Sequence, residues 1–314
     1  MTAVEPVEFD PLSAVFFDDP YPVYRRLRDE APVYHHAARD LWVLSRFADV
    51  LVAHRDWESF SSTRGLDVLT LTSGQPPAPP VSMIMMDPPE HDRMRALVNR
   101  VFTPRAVTSL EPMVREVIVS VLDGLRDRHE FDVVEDFSGP FPAHDGGSRP
   151  EGDRQRLRHL MDVILHREPD QTRTSDEASR AMLEWGASMY ELVGDKRQHP
   201  ADDMLSRLCE VEVQREDGET SRLDDVEITG FAGLLVGAGA ETVTKLVANA
   251  VVLFNRNPDE WAKVLADPAR IVPSVEEILR YWPPSQYQGR FCLREASLDG
   301  GTIPAGAPVL LLTG

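Results

Sequence analysis

The stretch FAGLLVGAGAETVTKLVANAVVLF, residues 231–254, is long and apolar enough to form one buried helix. Its middle departs from that pattern, because Gly237 and Gly239 are followed by a carboxylate and a hydroxyl, Glu241 and Thr242. Each glycine costs a helix interior about 1 kcal/mol relative to alanine. A carboxylate among apolar residues costs more unless it is paired or hydrated. A helix with so weak a centre must gain something from it.

Residues spaced by four share one face of this helix, and they are Leu234, Ala238, Thr242 and Leu246. That face is narrow at Ala238, so a flat, bulky group could approach the backbone there. The Thr242 hydroxyl can also donate back to the carbonyl of Ala238, which bends a helix and opens a groove. The alternative is a solvated Glu241–Lys245 pair with Thr242 merely tolerated, and spacing alone favours that alternative.

The composition is that of a soluble globular protein, with 42% apolar and 27% charged residues. Its 33 basic and 52 acidic residues give a net charge of −19, which argues against a nucleic-acid partner. Cys209 and Cys292 form no disulfide framework and no zinc motif, and this indicates a cytoplasmic protein. The acidic N-terminal residues lack the pattern of a signal peptide, and charges within the 231–254 helix argue against a membrane span.

Hydrophobic periodicity and turn signals predict a mainly helical chain with a small β region. Helices are expected over residues 20–30, 46–56, 88–102, 106–128, 154–166, 175–194, 201–210, 223–254, 260–267 and 273–282. A hairpin is expected over 31–45, and further strands over 289–314. Asp87, Pro88 and Glu90 predict a capping box at the start of the 88–102 helix.

Three stretches depart from this regular pattern. Residues 61–86 contain a run rich in Ser, Pro and Gly, which predicts a binding loop or lid. Residues 143–149, AHDGGSR, are polar between two helical regions, and this indicates an irregularity in the sequence. The apolar VLLL run stands directly before Thr313 and Gly314, where a strand normally pairs and continues into a turn, so we expect a truncated chain.

Other charged residues have both a functional and an ordinary surface interpretation. His91 and Arg95 are four positions apart on a helix, so they could bind a carboxylate or phosphate together or form a solvated stripe. Glu277 and Arg280 are three positions apart, a spacing that is common in weak surface ion pairs. Arg290 lies alone in a strand-like segment and indicates little by itself.

Taken in order, four motifs resemble the bacterial, soluble branch of the cytochrome P450 family. They are DPPEHDRMR (87–95), AGAET (238–242), EEILR (276–280), and a Pro-Pro turn followed by Arg290. The resemblance covers nearly the whole chain. It implies a mainly α fold with a small β region, built around haem b as a single domain over residues 1–314 that is truncated at its C-terminal side.

The resemblance implies a haem-thiolate monooxygenase that oxidises a small organic substrate. Dioxygen would be the oxidant, and a ferredoxin with its ferredoxin reductase would donate electrons. The alternative is a non-catalytic remnant, or a helical module that binds a small molecule without the iron ligand. Neither a membrane nor a nucleic acid is an expected partner.

The resemblance also assigns roles to matched positions. Glu241 and Thr242 would be the catalytic acid–alcohol pair that delivers protons to dioxygen. The residues implied to contact haem are His91, Arg95, Gln288 and Arg290 at the propionates and Ala238 and Gly239 at the porphyrin. The residues implied to line the substrate pocket, beneath the 61–86 loop, are Leu234, Leu235 and Gly237. Glu277 and Arg280 would form a buried structural ion pair.

The iron ligand is where this sequence departs from the family. That ligand is a cysteine thiolate in a loop of the type F-G-x-G-x-H-x-C-x-G. Neither Cys209 nor Cys292 has that context, so no metal ligand is assigned and haem would be incompletely ligated in this chain. We also expect apolar surface to stay uncovered on the central helix and around Glu277 and Arg280.

Overall fold

The structure is a computed structural model that describes residues 6–75, 77, 81–141, 151–214 and 220–314. The predicted irregularity at 143–149 therefore lies outside the described residues. The chain divides into two compact units. The first comprises Met1–Arg93, Arg167–Ser175 and Ser285–Gly314, and the second comprises Met94–His166 and Asp176–Pro284.

The described residues are mainly helical, as predicted. The helices are α1 Ala14–Asp18, α2 Tyr21–Glu30, α3 Phe47–Arg55, α4 Val68–Thr72, α5 Glu90–Val101, α6 Pro104–Thr108, α7 Glu111–Leu125, α8 Glu151–Leu165, α9 Asp176–Gln198, α10 Met204–Glu210, α11 Asp225–Arg256, α12 Pro258–Ala266 and α13 Ile271–Tyr281. A short π-helix spans Val133–Ser138. The helix predicted over 106–128 is divided into α6 and α7, because Pro112 has no amide hydrogen to continue the helix through that point.

The strands fall into one five-stranded sheet and two small hairpins. They are β1 Val33–His36, β2 Leu41–Leu44, β3 Phe60–Ser61, β4 Glu212–Gln214, β5 Thr220–Arg222, β6 Tyr287–Cys292, β7 Ala296–Leu298, β8 Gly301–Ile303 and β9 Pro308–Leu312. The sheet order is β1-β2-β9-β6-β3, and β2 and β9 run parallel while the other pairs are antiparallel. The predicted hairpin over 31–45 and the predicted tail strands are both confirmed.

The apolar VLLL run lies at the centre of this sheet. It forms β9, whose five residues are all buried. Leu310 and Leu312 belong to one apolar cluster with Leu41 and Val43, while Val309 and Leu311 face a second cluster on the other side. A strand covered on both faces needs no polar alternation, so a continuous apolar run suits this position.

In the second unit, α11 packs against α8, α9, α10, α12, α13 and the π-helix. Asp224 begins the helix with a capping box, because its carboxylate accepts from the Glu227 amide and the Glu227 carboxylate accepts from the Asp224 amide. The Thr244 hydroxyl donates to the Ser138 carbonyl at 2.9 Å, and the Asn249 side-chain amide donates to the Trp282 carbonyl at 2.9 Å. A capping box therefore begins α11 before the predicted weak centre, and two side-chain bonds tie the helix to other segments after it.

Among the described helices, α11 is long and apolar enough to cross a membrane by length and composition. The core helix of a globular protein passes the same test. Glu241 and Lys245 lie within its apolar stretch, and five other described α-helices and the π-helix pack on it. These features fit the predicted core helix better than a membrane span.

Two predictions of local structure were wrong. Asp87 does not cap α5, because its carboxylate accepts from the Ser62 amide at 2.9 Å and from the Ser61 hydroxyl at 2.5 Å. The 61–86 segment is not wholly irregular, because it contains α4 and a 3₁₀ turn at Met83–Met85. Asp67 begins α4 by accepting from the amides of Leu69 and Thr70.

Large apolar side chains stay exposed on the last three helices of the second unit. They are Val251 and Val252 on α11, Trp261 and Leu265 on α12, and Val272, Val275, Leu279 and Tyr281 on α13. The expected uncovered apolar surface near Glu277 and Arg280 is therefore present.

Candidate functional site

The centre of α11 forms the hydrogen bond that its sequence predicts. The Thr242 hydroxyl donates to the Ala238 carbonyl at 2.6 Å, which leaves an oxygen lone pair available for a further partner. Next to it, Glu241 forms an ion pair with Lys245, as the surface interpretation anticipated. The Glu241 side chain is only 15% exposed, however, while that of Lys245 is 54% exposed. The carboxylate is thus held largely inside and the ammonium reaches out.

The two sides of this helix differ in how closely neighbours approach. A Cβ added to Gly239 would meet no heavy atom within 4 Å, and Ala238 and Thr242 are exposed. A Cβ added to Gly237 would instead lie 2.7 Å from Cε of Met161 on α8 and 3.7 Å from the Trp185 ring on α9. The open side has the narrow surface that a flat group requires.

This difference corrects the predicted role of Gly237. The residue was expected to line a substrate pocket, but the structure buries it where α11 packs on α8 and α9. Leu234 and Leu235 are half-buried, so both remain candidates for lining a pocket. Glycine at 237 is explained by helix packing, because a larger residue would displace the Met161 side chain.

A second acid lies close to Glu241. Burial, together with repulsion from Glu241, raises the pKa of Asp162 on α8, and Arg158 opposes that shift. Arg158 itself forms an ion pair with Glu135 of the π-helix. Asp162, Arg158 and Glu135 line a polar cavity of about 680 Å³ in the second unit, together with Val117 and His159. The cavity carries charges of both signs, and Asp162 is the acid in it that feels the like charge of Glu241.

In the first unit, β6 places Arg290 on the sheet face that also carries Val309 and Cys292. Its guanidinium donates to the Gly289 carbonyl at 2.8 Å and contacts Nδ1 of His54 at 3.1 Å. Burial lowers the pKa of Arg290, and the more distant Asp87 carboxylate opposes this. Within the described part of the chain, no carboxylate forms an ion pair with Arg290.

His54 was not identified from the sequence. It lies on α3, one residue after the buried Ala53 and four after the buried Val50, and this helical spacing directs it toward the sheet. Burial and the charge of Arg290 both lower the pKa of His54. The spacing of Val50, Ala53 and His54 on one face of α3 is the sequence signal that places His54 against the sheet.

The other residues predicted to contact haem propionates are accessible. His91 is half-buried and its Nδ1 contacts the Asp92 carboxylate at 3.0 Å, while Arg95 and Gln288 are exposed. Gln288 shares a face of β6 with Arg290, because strand residues two apart point the same way. No hydrogen bond joins His91 to Arg290 in the described structure. Arg95 belongs to the second unit, so convergence of the three basic residues stays a prediction.

Glu277 and Arg280 form the expected ion pair, with two nitrogen–oxygen distances of 2.7 Å. Their side chains are 62% and 67% exposed, so the pair is not in the buried setting that the resemblance implies, and this agrees with the uncovered surface expected around it in this chain. The pair lies on α13, the helix that also carries exposed Val272, Val275 and Tyr281. An ion pair this accessible contributes little to stability, of the order of 0–1 kcal/mol.

Both cysteines are buried away from any open surface. Cys209 lies on α10, and Cys292 on β6 donates its thiol hydrogen to the Arg294 carbonyl at 3.0 Å. Burial raises the pKa of both thiols, although nearby Arg197 opposes the shift at Cys209. The thiolate is the form of cysteine that binds a metal, so two thiols whose pKa is raised by burial suit iron poorly. Within the described chain, no cluster of three or more His, Cys, Asp or Glu residues could hold a metal ion.

Comparison with known proteins gives close relatives of this chain. A putative cytochrome P450 123 of Mycobacterium tuberculosis is 40% identical over 308 residues, which cover 97% of this chain and 75% of the relative. Cytochrome P450 130 of the same species is 37% identical over 331 residues, covering 100% of this chain and 79% of the relative. The vitamin D(3) 25-hydroxylase of Pseudonocardia autotrophica is 33% identical over 317 residues, covering 99% and 76%. No family model matches.

Solved structures agree with these relatives. CYP268A2 of Mycobacterium marinum in complex with pseudoionone superimposes with a TM-score of 0.81 at 27% identity, over 99% of this chain and 80% of that one. CYP109E1 of Bacillus megaterium in complex with testosterone gives 0.80 at 28% identity, over 94% and 75%. These relatives and solved structures are cytochrome P450s, which are haem monooxygenases. The chain belongs to the cytochrome P450 family.

Haem is the cofactor of this family, and two observations show that the residues of this chain fit it. The α11 surface at Ala238 and Gly239 is narrow and open, which suits the face of a porphyrin. Arg290 is a half-buried cation that forms no ion pair with a carboxylate among the described residues, which suits a propionate. Neither described cysteine fits the iron, because both thiols are buried and protonated.

Proposed function

We propose that this chain is the distal and propionate-binding part of a cytoplasmic haem-thiolate monooxygenase. Such an enzyme oxidises a small organic substrate with dioxygen and takes electrons from a ferredoxin and its reductase. Membership of the cytochrome P450 family supports the reaction class. The net charge of −19 supports a small-molecule substrate over a nucleic acid.

The observation that carries this proposal is the arrangement of Thr242 and Glu241 at the open centre of α11. The Thr242 hydroxyl is anchored to Ala238 and exposed, and the Glu241 carboxylate beside it is largely buried. Haem, when bound, supplies the redox chemistry that activates dioxygen. The hydroxyl and the carboxylate then position water and deliver protons, which is general acid catalysis by a held alcohol and its neighbouring acid.

The basic residues would hold the cofactor by its carboxylates. Arg290 has a free direction for a charge-assisted hydrogen bond, and Gln288 shares its strand face. His91 and Arg95 would add two donors, with His91 exchanging its contact with Asp92 for a propionate. We propose that the axial thiolate comes from neither Cys209 nor Cys292, because both are buried thiols.

The relatives suggest the class of substrate. One relative is named as a vitamin D(3) hydroxylase, and similar structures hold testosterone and pseudoionone. We propose an uncharged, largely apolar organic molecule of comparable chemistry for this chain. Leu234 and Leu235, which are half-buried on α11, would contact it.

The test measures how many electrons end in product. Residues 1–314 are fused to the remaining quarter of the P450 123 relative, which supplies the family's cysteine loop, and are assayed with a ferredoxin and its reductase. Thr242→Ala should leave the haem content unchanged but lower product per electron at least about tenfold, with hydrogen peroxide formed instead. Thr242→Ser keeps the hydroxyl and should retain most of the yield.

A matched control lies on the same helix. The Thr229 hydroxyl donates to the Asp225 carbonyl four residues earlier, so Thr229→Ala removes an equivalent bond far from the centre. That variant should keep its product yield. An unchanged yield in Thr242→Ala would contradict the proton-delivery role, and an equal loss in Thr229→Ala would indicate a general effect of removing such bonds.

A further inference from the structure

Arg290 is oriented by a neutral partner. One nitrogen of its guanidinium donates to the Gly289 carbonyl, and Nη2 lies 3.1 Å from Nδ1 of His54. Only a neutral imidazole nitrogen without its hydrogen can accept that bond. The contact therefore fixes the guanidinium without neutralising its charge.

The acid that acts on Arg290, Asp87, has hydrogen-bond partners of its own. Asp87 acts on Arg290 electrostatically, but its two oxygens accept from the Ser61 hydroxyl and the Ser62 amide. Arg290 is therefore a half-buried cation whose direct partners are a carbonyl and an imidazole. An arrangement of this kind is suited to an incoming anion, because the desolvated charge gains more from a carboxylate than an exposed one does.

We propose that His54 is a positioning residue that aims Arg290 at a carboxylate, and that the pair takes up a proton when the carboxylate binds. This inference rests on the proposed haem-binding function, with a haem propionate as the carboxylate. It extends that function, because it makes retention of the cofactor depend on pH through a residue of α3. His54 does not touch the reacting atoms.

The direction of the pH effect follows from the groups that face His54. Burial and the Arg290 charge lower the pKa of His54, so the imidazole is neutral near pH 7 in the free chain. A carboxylate bound to Arg290 offsets that charge and favours protonation of His54 at Nδ1. The protonated ring no longer accepts from Nη2, so the bond that orients Arg290 in the free chain is exchanged for a second donor beside the bound carboxylate. Asp87 acts through Arg290 in both states. Binding and proton uptake are coupled, so affinity rises as pH falls.

The experiment uses the full chain and metal-free protoporphyrin IX, so that iron ligation cannot contribute. Quenching of tryptophan fluorescence gives the affinity at about pH 7.5 and about pH 5.5. The protoporphyrin dimethyl ester, which has no carboxylate, is the matched probe. Arg290→Gln should weaken binding of the diacid by about tenfold or more and leave binding of the diester unchanged.

Variants at His54 separate orientation from titration. At about pH 7.5 the wild type and His54→Gln should bind the diacid with the same affinity. At about pH 5.5 the wild type should bind the diacid about three- to tenfold more tightly than His54→Gln does. His54→Gln keeps an acceptor, so its affinity at the higher pH should equal that of the wild type. His54→Leu removes the acceptor and should weaken binding at both values.

A second readout does not need any porphyrin. The imidazole C–H resonance of His54, assigned by its loss in His54→Gln, reports the pKa of that residue in the free chain. Arg290→Gln should raise this pKa, because it removes the adjacent charge. An unchanged pKa would show that the two side chains do not interact and would overturn the inference.

These outcomes distinguish a failure of the proposed role of His54 from a failure of the proposed haem-binding function. If the wild type does not bind protoporphyrin, or Arg290→Gln binds it equally well, the proposed haem site is wrong and the inference falls with it. If Arg290→Gln weakens binding but His54→Gln keeps the wild-type pH dependence, haem binding stands and the role of His54 is overturned.

Discussion

The strand β9 and the centre of α11 are both apolar in sequence, yet they differ in how completely neighbouring residues cover them. Every residue of β9 is buried, with Leu310 facing one apolar cluster and Leu311 the other. At the centre of α11, Gly237 is enclosed by neighbouring helices while Gly239 is open on the other side. An apolar sequence therefore indicates that an element lies in the protein interior. Small or polar residues within that sequence indicate where neighbouring side chains do not cover the element.

Charged residues near the two elements differ in the same way. Close to the sheet, Asp10 accepts two hydrogen bonds from the Arg39 guanidinium and one from the Leu12 amide. Close to α11, Asp162 faces the like charge of Glu241. The Asp10 carboxylate is therefore matched by a cation, while Asp162 faces a like charge even though Glu241 itself pairs with Lys245. A like-charge contact is costly for stability, and such contacts are common where protons are moved.

The largest expected effect tests the enclosure of β9. Leu310→Ala removes a side chain with no exposed area and should lower the free energy of unfolding by about 2–5 kcal/mol. Leu265→Ala on α12 removes a side chain that is 64% exposed and should cost less than about 0.5 kcal/mol. Urea unfolding followed by circular dichroism measures both. Equal losses would mean that β9 is not the centre of a closed core.

The second effect tests the matched charge. Burial would raise the pKa of Asp10, but the Arg39 and Leu12 hydrogen bonds outweigh burial and lower it. Asp10→Asn should therefore cost about 1–2 kcal/mol at pH 7, because a charge-assisted hydrogen bond is lost. Because the folded-state pKa is lowered, ionised Asp10 stabilises the fold fully above about pH 3.9, the ordinary value for aspartate. That stabilisation is lost as pH falls through the folded-state pKa.

The control for that variant is Asp162→Asn. The pKa of Asp162 is raised by burial and by Glu241, so ionising it disfavours the folded state as pH rises above the ordinary value for aspartate. Asp162 is itself exposed, so Asp162→Asn should gain only slightly in stability relative to the wild type as pH rises from 4 to 7, whereas Asp10→Asn should lose stability. Thermal unfolding at a series of pH values measures both trends. Parallel trends would contradict the contrast between the two regions.

A smaller effect tests the open side of α11. Gly239→Ala should stabilise the free chain by about 0.5–1 kcal/mol, because alanine favours a helix and nothing lies within 4 Å of the new methyl group. The same methyl group should weaken binding of protoporphyrin. Gly186→Ala on α9 also meets open space and should give the stability gain without the binding loss. Unaltered binding in Gly239→Ala would place the porphyrin elsewhere.

Replacing either cysteine is expected to have no effect on the spectrum of the carbon monoxide complex. The chain reconstituted with haem, reduced and exposed to carbon monoxide should lack the strongly red-shifted Soret band of thiolate ligation. Cys209→Ala and Cys292→Ala should leave that spectrum unchanged, because both thiols are buried and protonated. A red-shifted band that disappears in one of these variants would identify that cysteine as the iron ligand.

Much of the architecture was predictable because local signals agree with tertiary packing. The β1–β2 hairpin and the long helix α11 follow the pattern of their own residues, as does the back-bond from Thr242 to Ala238. The assignment to a family needed more than any one motif. It depended on the order and spacing of four weak motifs, and the relatives confirm it.

The wrong sequence predictions concern residues whose surroundings depend on partners that are distant in sequence. Asp87 has the local setting of a helix cap, but Ser61 and Ser62 bind its carboxylate across the fold. Glu277 and Arg280 pair as their spacing predicts, yet spacing cannot say what covers them. The site at Arg290 depends on His54, more than two hundred positions away.

The parallel pairing of β2 with β9 has a consequence for synthesis. Trp42, Val43 and Leu44 pair with Val309, Leu310 and Leu311, so the middle of the sheet joins residues from near the two extremes of the sequence. While the ribosome makes the intervening helices, β2 presents an unpaired apolar edge that invites association with other chains. Contacts this distant in sequence also form slowly. We expect the yield of native protein in cells to depend on holdase chaperones that shield this edge until β9 has been made.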